Sequence, residues 1–189
     1  MEIVLATQNQ GKVAEIAQLL SDLDLVVRAR PDGLPETVED EPTLEGNAAK
    51  KAREVCEATG TAALADDTGL FVDALNGGPG VRTARYGGWE RLLAELDAAE
   101  DRSARFRTVL VLAFPDDRPD LAVEGGVNGV IAYAPAGNDG FGYDPVFIPD
   151  GGGGRSFAEM SKQEKNRLSH RGIALRLLVE ELGGSITPS

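Results

Sequence analysis

Apolar residues recur at two spacings along the chain, and each spacing predicts an element. Glu2 to Thr7 is too apolar for a surface loop and predicts a short strand, followed by a polar turn over Gln8–Gly11. In KVAEIAQLLSDL, the residues Val13, Ile16, Ala17, Leu19 and Leu20 fall at helical spacing. DLVVRA predicts a second strand, so the chain opens as strand, helix, strand. Thr43 can cap a helix running to Thr59, with Ala48, Ala52, Val55 and Cys56 on its inner face. Asn47 and Lys51 stand four apart and share a different face. Ala62 to Asp66 predicts a strand, with Leu70 to Ala74 continuing or returning it. NGGPGVRTARYGG reads as a glycine-rich loop and WERLLAELDAA as a short amphipathic helix. Arg105–Phe114 and Leu121–Tyr133 predict two long strands joined by the turn PDDRPD, and GNDGFGYDPVFIPDGGGG a loop, a short strand and a loop. Early alternation of strands and helices with a later antiparallel pair predicts an α/β fold on a mixed sheet, one domain over 1–189.

The C-terminal pattern is the most informative. Ser161 and Glu164 form a capping box, so a helix starts there. In an unbroken helix Lys165 and His170 would lie ~140° apart around the axis, too far for one site. Ser169 is a second good N-cap, and Ile173, Leu177 and Leu178 then begin a new apolar stripe. A break near Leu168–Ser169 is therefore expected. It puts His170, the single histidine, and Arg171 in the first turn of a second helix, aimed at an anion or carbonyl.

Composition narrows the function. The 189 residues carry a formal net charge of −12, which argues against a protein built to hold a nucleic-acid backbone. A nucleotide stays possible, since a few lysines and a divalent cation can make a local positive pocket. The 23 glycines cluster, as tight loops require. One cysteine, Cys56, permits no intramolecular disulfide and reads as a small buried apolar residue. No segment resembles a signal peptide, and no run approaches the ~20 apolar residues of a membrane helix. The cytoplasm is the expected compartment, with no membrane partner.

Four stretches carry candidate chemistry. ALADDTGL sets Asp66 and Asp67 side by side with Thr68 and a glycine after them. Asp-Asp-Thr-Gly is good turn chemistry; it is equally a carboxylate pair at a strand tip, suited to a hard cation such as Mg²⁺ or to acting as a base on water. The acidic loop PDGLPETVEDEP reads either as a solvated loop or as the source of one more ligand, from Glu36, Glu39, Asp40 or Glu41. ATQNQGK puts Thr7, Gln8, Asn9, Gln10, Gly11 and Lys12 at a strand-to-helix turn, where backbone N–H groups favour anions, with Lys12 and Lys51 as phosphate partners. It lacks the first glycine and the trailing hydroxyl of a phosphate loop. DGFGYDP places Phe141 and Tyr143 among glycines, where they either stack on a flat base or plug the core.

Together, LATQNQGK, EGNAAKKA, LADDTGL, PGVRTARYGG, GFGYDPVFIP and SHRGIAL, in this order, resemble the inosine triphosphate pyrophosphatases. The resemblance covers nearly the whole chain. It implies hydrolysis of ITP, dITP and XTP to the monophosphate and pyrophosphate. It also implies an elongated mixed sheet flanked by helices, two lobes with the active site in the cleft between them, and a homodimer. By matching position, Thr7, Asn9, Lys12 and Lys51 would hold the triphosphate and Asp67 would serve the metal and the attacking water. Thr68 stands where the family often has serine. Glu39 best matches the second ligand of Mg²⁺, with Glu36 and Glu41 as alternatives. Phe141, Gly142, Tyr143 and Asp144, with Lys165, His170 and Arg171, would read the base. Gln8 replaces a residue that is often small, and the segment 88–105 is shorter than the resemblance leads one to expect. Two rivals are weighed against this reading. An aspartyl-nucleophile phosphatase normally separates its aspartates by one residue, whereas these are adjacent. A nucleotide-binding regulator would need no turnover.

Overall fold

The structure, a computed structural model, describes residues 1–20 and 25–183. The elements run β1 (Glu2–Leu5), α1 (Gln10–Leu20), β2 (Val26–Arg28), α2 (Leu44–Thr59), β3 (Ala63–Val72), β4 (Gly78–Gly80), α3 (Gly88–Glu95), β5 (Ser103–Ala113), β6 (Leu121–Ile131), β7 (Phe147–Pro149), α4 (Lys162–Leu168) and α5 (His170–Glu181). Among the described residues seven strands make one mixed sheet in the order β2-β1-β3-β5-β6-β7, with β4 paired to β3. β1 runs parallel to β2 and β3, while β3–β4 and β6–β7 are antiparallel. No described helix is long and apolar enough to cross a membrane.

The chain divides into two compact units, the first formed by Met1–Asp67, Thr108–Gly125 and Ala174–Ser189, the second by Thr68–Arg107 and Gly126–Ile173. Each has its own apolar core. In the first, Ile3, Leu5 and Leu64 from strands pack with Ile16 and Leu20 of α1 and with Ala174, Leu175, Leu178 and Val179 of α5. In the second, Leu70, Phe106 and Phe147 pack with Leu92, Leu96, Tyr143 and Phe157.

Most elements follow the hydrophobic pattern, and the departures have physical reasons. Helix α1 begins at Gln10, so Gln10 and Gly11 belong to its first turn rather than to the preceding loop, and β1 stops at Leu5. Ala17, expected on its inner face, is exposed. α2 starts after Thr43, whose hydroxyl accepts from the Gly46 N–H at 3.0 Å. Of the two alternatives for Leu70–Ala74 the chain takes continuation: β3 runs on to Val72, so Asp66 and Asp67 sit in mid-strand and not at the strand tip expected of them. Gly69 lets it continue beside β4, because a Cβ there would lie 2.9 Å from the Gly80 carbonyl oxygen and 2.8 Å from the Phe71 ring. The expected break at Ser169 is present: Ser161 closes a capping box with Glu164 at the start of α4, and Ser169 has an extended backbone between the two helices. Its hydroxyl accepts from the Gly172 N–H at 3.1 Å. The stripe beyond it is rotated from expectation, with Leu177 exposed and Ala174, Leu175, Leu178 and Val179 buried.

Candidate active site

In the first unit, two aspartates of one strand reach two different lysines. Neighbouring strand residues point to opposite faces, and the partners differ accordingly. Asp66 Oδ2 lies 3.0 Å from Lys12 Nζ, whereas Asp67 Oδ1 lies 3.2 Å from Lys51 Nζ. Both carboxylates are buried. The Lys51 ammonium also donates to the Asp66 carbonyl at 2.6 Å and to Glu39 Oε1 at 2.8 Å. Burial pushes the Asp67 carboxyl above the usual aspartate range, an effect that Lys51 opposes and Glu39 reinforces. Burial pulls Lys51 down, but Asp67, Asp66 and Glu39 more than offset it, so the ammonium is held above its ordinary value.

The acidic loop is more than a solvated run. Four residues of α2 on one helical face each hold one residue of it. Glu54 accepts from the Thr37 hydroxyl, Lys51 donates to Glu39, Lys50 donates to Asp40 at 2.6 Å, and Asn47 accepts from the Glu41 N–H at 3.0 Å. The loop thus runs antiparallel to α2, as a strap. This register brings Glu39, rather than Glu36 or Glu41, to the same ammonium as Asp67. Glu39 and Asp67 already share one cation, and two carboxylates with oxygen donors only are the set a hard divalent ion accepts.

The turn ahead of α1 is built for its own geometry. The Asn9 N–H donates to the Thr7 hydroxyl at 3.2 Å, and Asn9 Oδ1 accepts from the Lys12 N–H at 3.2 Å, capping the helix. Gln8, Asn9 and Gln10 are exposed, and Gly11 and Lys12 half-buried, at the positive end of an eleven-residue helix.

In the second unit Asp144, Lys165 and Arg171, three of the residues expected at the base, gather around Phe141, which is flanked by glycines at positive φ: Gly140 at 80° and Gly142 at 62°. Asp144 Oδ2 accepts from the Phe141 N–H and from the Lys165 ammonium, each at 2.7 Å. Lys165 Nζ lies 4.8 Å and the Arg171 guanidinium 5.7 Å from the Phe141 ring centre. Arg171 also donates to the Thr68 hydroxyl at 3.4 Å. His170 is buried and stacked on Phe106, with ring centres 4.5 Å apart.

Of the two alternatives for the aromatics, Tyr143 takes the core one: its hydroxyl donates to the Thr83 carbonyl at 3.1 Å, while Phe141 keeps a partly open ring. Thr83 is a hub that the sequence did not reveal: its hydroxyl accepts from the Leu70 N–H at 2.8 Å and donates to the Gly80 carbonyl at 2.6 Å. Nothing in the pattern of RTAR singles it out. If Tyr143 supports rather than reads, Tyr143→Phe lowers unfolding stability in urea by about 1 kcal/mol and leaves the nucleotide KM within about twofold of wild type.

Comparison with known proteins sets this site in context. The Ham1 family model matches residues 3–181. A dITP/XTP pyrophosphatase of Synechococcus sp. is 48% identical, covering 95% of this chain and 89% of its own. One from Thermus thermophilus is 49% identical, covering 95% and 91%. A solved HAM1 protein of Coxiella burnetii superposes with a TM-score of 0.87 at 42% identity, covering 97% of this chain and 98% of its own.

Proposed function

The chain belongs to the Ham1 family, and from that membership we propose that it is a nucleoside triphosphate pyrophosphatase hydrolysing ITP, dITP and XTP to the monophosphate and pyrophosphate. The observation that carries the site assignment is the Lys51 ammonium, 2.8 Å from Glu39 and 3.2 Å from Asp67, toward which both carboxylates converge. A pyrophosphatase of this kind works with a divalent metal, here assigned as Mg²⁺, with Glu39 and Asp67 as its protein ligands. When bound, Mg²⁺ neutralises charge developing on the phosphate oxygens and lowers the pKa of water.

The chain's own groups do the rest. Lys12, Lys51, Thr7, Asn9 and the first N–H groups of α1, with Gln8 and Gln10 beside them, bind the triphosphate. Asp67 holds the attacking water against the α-phosphorus and accepts its proton. The base lies on Phe141, and the cationic donors of Lys165 and Arg171 face a 6-oxo group. Adenine presents an amino donor at that position, so one buried donor would go unpaired, a strong ground for rejection. Thr68 supports Arg171, Asp144 orients Lys165, and His170 anchors the first turn of α5.

Hydrolysis of ITP in H₂¹⁸O tests the bond cleaved. Attack at the α-phosphorus places the label in the monophosphate and gives pyrophosphate as the first product. Label in orthophosphate, released first, would instead identify a phosphatase.

A further inference from the structure

We propose that Asn47 is a positioning residue that sets the separation and orientation of the two carboxylates, Asp67 and Glu39, on which a divalent cation binds. This rests on the assignment of that pair as the metal site. Asn47 is 1% exposed. Its Nδ2 donates to Asp67 Oδ2 at 3.2 Å, and its Oδ1 accepts from the Glu41 N–H at 3.0 Å. The amide's orientation is forced, because a backbone N–H can only donate and so fixes which end is oxygen. The amino end must therefore face the aspartate.

One planar group thus joins the two segments that carry the carboxylates: β3, with Asp67, and the strap, two residues past Glu39. The bond to Asp67 engages Oδ2 and leaves Oδ1 toward Lys51. Gly46 makes the bond to the strap possible. A Cβ there would lie 2.9 Å from the Glu41 Cβ and 3.1 Å from the Thr43 hydroxyl, and the strap could not approach α2 closely enough to reach Asn47. Groups that orient a metal ligand in this way change metal affinity about 10–100-fold when removed.

The test is Mn²⁺ binding without nucleotide, followed by the EPR signal of free Mn²⁺, on the wild type, Asn47→Ala, Asn47→Ser and Asp67→Asn. Serine keeps a polar group but is too short to span both partners, so it serves if the alanine variant fails to fold. The expected result is a Mn²⁺ dissociation constant raised about 10–100-fold in the Asn47 variants. In parallel, the Mg²⁺ concentration for half-maximal rate rises, while the KM for ITP at saturating Mg²⁺ stays unchanged. Wild-type Mn²⁺ affinity in the Asn47 variants, with only a lowered melting temperature, would make Asn47 a packing residue and overturn the proposal. Unchanged Mn²⁺ binding in Asp67→Asn is a different failure: it would remove the metal assignment itself and this inference with it.

Discussion

Asp67→Asn reduces pyrophosphate release by about 10³-fold or more, while ITP still binds. The substitution keeps the shape of a buried side chain but removes the charge that the Lys51 ammonium faces at 3.2 Å. It also sets an amide beside the Asn47 amino group, which now donates to Asp67 Oδ2. The proton acceptor is lost and one of two metal ligands becomes neutral. The contacts assigned to the triphosphate and base, from Lys12, Phe141 and Arg171, do not pass through Asp67, so binding survives. Turnover by pyrophosphate detection, set against ITP binding by calorimetry, checks both halves. Full function in this variant would point to a nucleotide-binding regulator that needs no hydrolysis.

Gly172→Ala breaks the junction that presents Arg171. A Cβ at this position would lie 1.8 Å from the Asn166 carbonyl oxygen and 2.8 Å from its carbon, so backbone must move. The same turn carries the Ser169 hydroxyl contact to the Gly172 N–H. Forced repacking of this kind costs about 3 kcal/mol, which lowers the melting temperature by roughly 6–12 °C at this chain length. Displacement of the first turn of α5 moves Arg171 away from Thr68 and Phe141, so the KM for ITP rises in whatever fraction still folds. Thermal melting and steady-state kinetics on the same preparation measure the two effects together. Unchanged values for both would remove the junction from the account.

The candidate residues were unequally legible in the sequence. Local rules sufficed where the determinant is local: Thr43 and Ser161 cap the helices expected of them, and Ser169 separates α4 from α5. The roles given to Thr7, Asn9, Lys12, Lys51 and Asp67 rest on the resemblance of their motifs, because a hydroxyl, amide or lysine at an element end serves equally as a cap or an ion-pair partner. What the pattern hid depends on contacts distant in sequence. Thr68–Gly69 has turn chemistry, yet pairing with β4 and the absence of a Cβ at Gly69 carry the strand through it. Tyr143 looked like a partner to Phe141 until Thr83, sixty positions earlier, supplied its hydroxyl with an acceptor. Asn47 showed itself only as a neighbour of Lys51 on the helix surface. Its role became visible with the strap, whose register no local propensity encodes.

Pyrophosphate release from ITP, dITP, XTP, GTP and ATP, each with Mg²⁺ at equal concentration, shows whether the enzyme reads the 6-oxo group of the purine. Release from ITP, dITP and XTP is expected to be fast, with a kcat/KM for ATP lower by about 10⁴-fold, the penalty for an unpaired buried donor. Equal rates on ATP and ITP would contradict it.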